Sequence, residues 1–242
     1  MSRYVIGDIH GCAEELRRLI DALPLRGGDS VVFLGDYIDR GPDSAAVVAY
    51  LISLREQLVD GIEWVFLKGN HEDMFLSYLG LDGQHGDMFL INGGKATLAS
   101  YGVAPDQFLP AQAFEAIPVA HVRFYETLEK YHQMDSFLCV HAGIHPQKPL
   151  TEQTDEEFFW IRNAFIYSSH GLPYTVLFGH TPQSTVLYDL PYKVGLDTGL
   201  VYGNMLTCLD VDEKVLYQIH RGKKSINRTS VQRKWNLPSV FS

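Results

Sequence analysis

The chain has few cysteines, no long apolar run and no surplus of positive charge, and each shortage excludes a class of function. Cys12, Cys139 and Cys208 are the only cysteines in 242 residues. They form no CxxC pair and no even-numbered framework, so neither a disulfide scaffold nor a thiolate metal or redox motif is present. Cys139 in "SFLCVHAG" and Cys208 in "MLTCLDVD" sit in apolar runs, where packing is the expected role. No stretch approaches the length of a membrane span, and "MSRYVIGD" becomes strand-like at once, without a signal-peptide core. A cytoplasmic chain with no membrane partner is the expectation. A formal net charge of −9 supplies no basic stripe, which argues against broad nucleic-acid binding. Repeats and low-complexity segments are also missing. What is left is ordinary globular composition, 46% hydrophobic and 20% charged, with length for one domain and a real core. A monomer is the default expectation.

Short apolar runs share one kind of ending. "YVI" leads to "GDIHG", "SVVFL" to "GDYIDRG", "EWVFLK" to "GNHE", "SFLCV" to "HAG", and "TVLF" to "GHT". Such runs read as strands buried on both faces. Helical patterns lie between several of them, at 13–23 and at 44–58, the second with Ser44 as its expected N-cap. Strand–helix alternation predicts an α/β fold, whose sites lie at the carboxyl ends of strands. Residues 74–135 read as a mainly helical insertion beside the site. "KVGLDTGL", "NMLTCLDVD" and "KVLYQIH" suggest a meander, and the segment after Arg221 reads as a basic, polar tail. The expected division is a catalytic domain over 1–220 and a tail over 221–242.

Six strand-end groups stand out: Asp8, His10, Asp36, Asn70, His141 and His180. Carboxylates, imidazoles and a carboxamide suit borderline ions such as Mn²⁺, Fe or Zn²⁺ better than Ca²⁺. Six groups exceed one tetrahedral site and suit a pair of ions sharing a carboxylate. Any one of these motifs alone would be a turn; their joint occurrence in this order is the signal.

Taken together, "GDIHG…GDYIDRG…GNHE…HAG…GHT", with "FFWIRNAFI" and "GLDTGLVYGNMLTCLDV", resembles the phosphoprotein phosphatase family of binuclear metallophosphoesterases, its bacterial and phage-type members above all. The resemblance implies a central β-sandwich flanked by helices, a four-layer αββα fold, with two metal ions, Mn²⁺ first among them. It implies that Asp8 and His10 hold one ion, that Asp36 bridges, and that Asn70, His141 and His180 hold the other. It implies His71 as general acid, Asp39 as the carboxylate that orients it, and Arg40 and Arg162 as phosphate-binding groups. Hydrolysis would proceed by direct attack of a metal-bridging hydroxide, without a phosphoenzyme. Gly35 and Gly41 would let the turn close tightly.

The leading expectation is a phosphatase for phosphoserine or phosphothreonine in proteins, with small phosphoesters as further substrates. The alternative is a dinucleoside-polyphosphate hydrolase; such enzymes commonly have a small residue in place of Asp39 and "GNHD" in place of "GNHE". A non-catalytic phosphate-binding scaffold is the third reading, against which the full residue set speaks. Asp197 is either a group that orients a ligand or a turn residue. Asn92 marks either the pocket rim or a helix break, and Glu72 is expected to stabilise its loop. His85, His121, His132, His145, His170 and His220 are expected to be structural or solvent-facing.

Overall fold

Alternation within short strands sets the layers of the molecule. In β1 (Arg3–Ile6), Tyr4 and Ile6 enter one hydrophobic core and Val5 another. β2 (Ser30–Phe33) divides the same way, Val31 and Phe33 from Val32. So does β3 (Glu63–Phe66), Phe66 from Val65. A two-residue period places successive side chains on opposite faces, so each strand is covered on both sides. The structure, a computed structural model, describes residues 1–57, 61–104 and 109–236.

β1, β2 and β3 pair in parallel, with α1 (Ala13–Ala22) and α2 (Ser44–Glu56) as the crossovers such pairing requires. Antiparallel β9 (Met205–Asp210), β10 (Val215–His220) and β11 (Ile226–Ser230) complete this sheet, in the order β11-β10-β9-β1-β2-β3. The second sheet runs β4-β5-β6-β8-β7. Its strands are β4 (Tyr131–Met134), β5 (Phe137–Val140), β6 (Thr175–Phe178), β7 (Leu187–Asp189) and β8 (Lys193–Gly195). Val5, Val32 and Leu209 of one sheet meet Cys139, Leu177 and Val194 of the other in the central core. Helices cover both outer faces: α1 and α2 on the first sheet, α7 (Asp155–Trp160) and α8 (Asn163–Ile166) on the second. Two mixed sheets between helical layers are the expected α/β sandwich. Between β3 and β4 lie α3 (Asn70–Tyr78), α4 (Lys95–Ser100), α5 (Pro110–Ala116) and α6 (Val119–Glu126).

Three local expectations need correction. Asp43, not Ser44, caps α2, its carboxylate accepting Ala46 N–H at 3.0 Å; Ser44 is the first helical residue. The "KVGLDTGL" strand is β8 of the second sheet, so the meander consists of β9, β10 and β11 alone. Part of the segment read as a tail is that last strand, paired with β10 from Val215↔Ser230 to Ile219↔Ile226. Residue 58, the last of the second helical pattern, and residues 237–242 of that tail lie outside the described residues. Among the described residues no helix is long and apolar enough to cross a membrane.

Candidate active site

Five strands end on the residues that carry chemistry: β1 before Asp8 and His10, β2 before Asp36, β3 before Asn70, β5 before His141 and β6 before His180. Because β1–β3 belong to one sheet and β5–β6 to the other, the groups converge where both sheets open. His141 donates its Nδ1–H to Leu34 O at 2.8 Å, which leaves Nε2 as an acceptor. That nitrogen lies 3.1 Å from Asn70 Oδ1 and 3.4 Å from Asp36 Oδ1. His180 Nδ1 approaches the same Asn70 oxygen at 2.8 Å and His141 Nε2 at 3.2 Å. A proton on His180 Nδ1 would bridge these lone pairs, and a cation among them would do the same. On the other side, His10 donates Nδ1–H to Ile38 O at 2.7 Å, and its Nε2 faces Asp36 Oδ2 at 3.5 Å.

Two groups of ligand-type atoms result, His10–Asp36–His71 and Asp36–His141–His180, each within 4.8 Å, with Asp36 in both. Asp8 belongs to neither; its two oxygens accept His180 N–H at 3.2 and 3.0 Å. The six expected ligands are therefore close neighbours, with Asp8 set back and His71 drawn in.

The electrostatics favour a cation. Burial lowers the His10 pKa to about 3 and also lowers those of His141 and His180, leaving the neutral imidazoles a ligand must present. Burial, with the charges of Asp197 and Asp36, pushes the Asp8 carboxyl well above the ordinary range. Even with Arg40 nearby, Asp8 is left short of compensating charge, which divalent ions would supply. Neutral imidazoles, carboxylates and one carboxamide fit such ions.

A second network stands beside the first. His71 Nδ1 lies 2.6 Å from Asp39 Oδ2, while Asp39 Oδ1 accepts the Thr97 hydroxyl at 2.5 Å. Thr97 Oγ1 and Ser44 Oγ also accept the Asp39 N–H, at 2.9 and 3.1 Å. Burial alone would lower the His71 pKa, but the Asp36 charge and the Asp39 contact raise it. Glu72 holds the loop as expected, its carboxylate accepting N–H bonds from Asp36, Tyr37, Ile38 and Gly69 at 2.8–3.3 Å.

The "GDYIDRG" turn is tightly determined. A Cβ on Gly35, at φ 100°, would meet Gly69 N at 2.6 Å, and one on Gly41 would overlap His10 O. His10, Asp36, Asp39, Arg40 and His180 all take positive φ between 46° and 72°. Such conformations cost on the order of 1–3 kcal/mol each and persist at functional sites where surrounding contacts over-determine them. Arg40 Nη1 reaches His10 Nε2 at 2.7 Å, and Arg162 Nη1 donates to His180 O at 3.1 Å. One guanidinium thus flanks each half of the cluster. Together with Asp36, His71, Asp197 and Tyr202 they line a cavity of about 110 Å³.

Asp197 accepts Gly199 N–H at 2.9 Å, the contact of a turn residue, and lines the cavity, with no hydrogen bond to a proposed ligand among the described residues. Asn92 lies in a break, donating to Met88 O at 3.0 Å, and the adjacent Gly93 O accepts Arg40 N–H at 3.2 Å. His145 is tied to Gln153, and His121 to Tyr101. Thr97, Ser44 and Tyr202 were not evident from sequence. Thr97 lies 58 positions from its partner Asp39, with no local pattern to mark it.

The family model described as calcineurin-like phosphoesterase matches residues 1–206. The asymmetrical bis(5'-nucleosyl)-tetraphosphatase PrpE of Bacillus thuringiensis (strain Al Hakam) is 26% identical over 239 residues, covering 88% of this chain and 92% of its own. A crystal structure described provisionally as a diadenosine tetraphosphatase superposes with a TM-score of 0.67 at 24% identity, covering 91% of this chain and 93% of its own. The cold-active protein-tyrosine phosphatase of a psychrophilic Shewanella species superposes at 0.62 and 16%, covering 96% of this chain and 80% of its own. These last two likenesses concern the fold. A phosphoester-hydrolase sandwich with a carboxylate–imidazole cluster at its strand ends, matched over most of its length, belongs to the calcineurin-like phosphoesterase family of metal-dependent hydrolases.

Proposed function

We propose that this chain hydrolyses dinucleoside polyphosphates, with Asp8, His10, Asp36, Asn70, His141 and His180 holding a pair of divalent ions, Mn²⁺ foremost. The observation that carries the reading is the match over 88% of this chain to a bis(5'-nucleosyl)-tetraphosphatase, joined to Arg40 against His10 and Arg162 against His180, one guanidinium on each half of a cluster centred on Asp36. Two guanidinium groups on one cavity suit an anionic phosphate ester, and the choice of a dinucleoside polyphosphate rests on the activity named for the 26%-identical relative. This reading replaces the phosphoprotein phosphatase expected first from sequence.

When bound, the ions would lower the pKa of water and polarise the phosphoryl oxygens. The protein's own groups do the rest. Arg40 and Arg162 hold non-bridging oxygens and oppose the charge that grows on them. A water oxygen adds to phosphorus as the bond to the leaving oxygen breaks. With Nδ1–H committed to Asp39, His71 delivers its proton from Nε2 to that leaving oxygen. The Asp39 contact favours the doubly protonated ring this step requires.

One observation favours a second reading, phosphoserine or phosphothreonine hydrolysis. The Asp39–His71 pair strengthens an acid, and an alkoxide leaving group needs an acid more than a nucleotide does. A substrate panel on the Mn²⁺-reconstituted enzyme decides between them: diadenosine tetraphosphate, a phosphoserine peptide, an aryl phosphate and a cyclic phosphodiester. The highest kcat/KM is expected on diadenosine tetraphosphate; a higher value on the phosphopeptide would restore the phosphatase reading.

A further inference from the structure

We infer that Tyr202 is a stacking platform for the nucleobase next to the scissile phosphate, an assignment that rests on the dinucleoside-polyphosphate reading. Tyr202 is 62% exposed, and a single exposed aromatic would ordinarily need no explanation. Its position is what sets it apart. Tyr202 borders the cavity that His10, Asp36, His71 and both arginines line. The Arg40 guanidinium carbon lies 5.7 Å from its ring centroid, within cation–π range, while Arg40 Nη1 lies 2.7 Å from His10 Nε2. One arginine therefore joins the ring to the edge of the proposed ligand cluster, where a bound phosphate ester would lie.

The size of the cavity strengthens the assignment. About 110 Å³ is too small for a whole nucleotide, so a base attached to a phosphate held there has to lie outside, on the rim. Tyr202 offers a flat apolar surface there, on the Arg40 side. Its backbone is fixed in advance. Tyr202 N–H and Asn204 N–H both donate to Gly199 O, at 3.1 and 3.2 Å, and Arg221 N–H donates to Asn204 O at 2.8 Å. The Asn204 side chain ties the loop to Ser184 O at 3.0 Å. A ring carried on a pinned loop loses little conformational freedom when a base stacks on it. Stacking accepts any base, because every base has a π-face. The predicted specificity is therefore for a nucleotide and not for adenine.

The test compares Tyr202→Ala, Tyr202→Phe and wild type, all Mn²⁺-loaded, on diadenosine tetraphosphate and on inorganic tripolyphosphate, which has phosphates but no base. Tyr202→Ala should raise the KM for diadenosine tetraphosphate relative to tripolyphosphate by about tenfold, the size of one base–aromatic stack. Tyr202→Phe should restore the ratio to within about twofold, since the ring and not the hydroxyl provides the stack. Calorimetric binding of adenosine monophosphate relative to inorganic phosphate should show the same pattern without turnover. An equal loss on both substrates would assign Tyr202 to Arg40 or to the fold and overturn the inference, as would an unchanged ratio in Tyr202→Ala. Wild-type enzyme that cleaves tripolyphosphate but not diadenosine tetraphosphate would overturn the dinucleoside reading itself, which separates that failure from the first.

Discussion

The Asp39 carboxylate lies 2.6 Å from His71 Nδ1 inside the fold, with both side chains essentially closed to solvent. The contact leaves Nε2 as the only His71 nitrogen free to meet a substrate. A proton delivered from Nε2 matters in proportion to how badly the leaving group needs it. His71→Asn should therefore cost about 10²–10⁴-fold on a phosphoserine peptide and clearly less on p-nitrophenyl phosphate, whose phenolate leaves unaided. Metal content, measured on the same samples, should stay normal. Because His71 also falls within the His10–Asp36 group, loss of metal in this variant would make it a ligand and remove it as the acid.

Thr97 should prove to be the support of that pair. Its hydroxyl serves both the Asp39 carboxylate and the Asp39 N–H, and it is fully buried. Thr97→Val keeps the shape and deletes both bonds, leaving a buried carboxylate oxygen short of a partner. A loss of about 1–3 kcal/mol in unfolding free energy is expected, with Thr97→Ser close to wild type. Urea titration measures both; a Val variant as stable as wild type would mean that water or a neighbour replaces the hydroxyl.

The sequence made the strand-end groups legible because each lies within a few residues of an apolar run that had to be a strand. Asp36 comes three residues after the end of β2, and Arg40 shares the same turn. Contacts that join distant segments were not legible in this way. Thr97 belongs to α4, in the insertion, and nothing around it signals that its hydroxyl is directed to Asp39. The pairing of Asp39 with His71 came from family resemblance and not from spacing. β11 is not legible for a different reason. As an edge strand with mostly exposed residues, "INRTS" has no apolar face to generate a two-residue period. Ser and Asp are nearly equal as caps, so adjacent Asp43 and Ser44 are not distinguished by sequence. The structure gives the cap to Asp43 and leaves the Ser44 hydroxyl to Asp39 and Thr97.

Stability should fall in acid through Glu15. Burial opposes ionisation of this carboxyl, but the Gly222 N–H and the Arg221 guanidinium at 2.7 Å outweigh it and hold the pKa below its ordinary 4.5. A carboxyl depressed in the folded state contributes stability above its unfolded pKa and loses it as pH falls through the folded one. The loss should thus appear below about pH 4.5. Arg221→Ala should lower the melting temperature at pH 7 and flatten its dependence on pH in that acid window. Parallel curves for variant and wild type below pH 5 would exclude this link between α1 and the chain beyond β10.

The arginines should separate from the metal-binding groups in a phosphate-inhibition assay. Arg40→Ala and Arg162→Ala are each expected to weaken inhibition by inorganic phosphate about tenfold, the scale of one lost charge-assisted bond, with metal content retained. Lysine at either position should recover only part of the effect, since a point charge cannot reproduce a planar fork. Undiminished inhibition in both alanine variants would assign the pair to structure, through the His10 and His180 contacts they already make.

Asp36 should be the single most sensitive position for metal binding. It is the one side chain common to both groups of ligand atoms, and four imidazoles surround it: those of His141, His71, His10 and His180. Burial would raise its pKa, yet the positive charge those rings carry when protonated holds it well below the usual carboxylate range, so it is ionised wherever they are neutral. Asp36→Asn removes the carboxylate charge from both halves at once. Wild-type protein stripped by a chelator and titrated with Mn²⁺ should take up two ions per chain. Its melting point should rise, because a ligand at about 100 times its Kd adds about 2.7 kcal/mol of stability. The Asn variant should take up less than one ion and show little of that rise. His10→Asn, which touches one half, should keep the other ion. If Asp36→Asn still bound two ions as tightly as wild type, the halves would be independent sites and Asp36 would not join them.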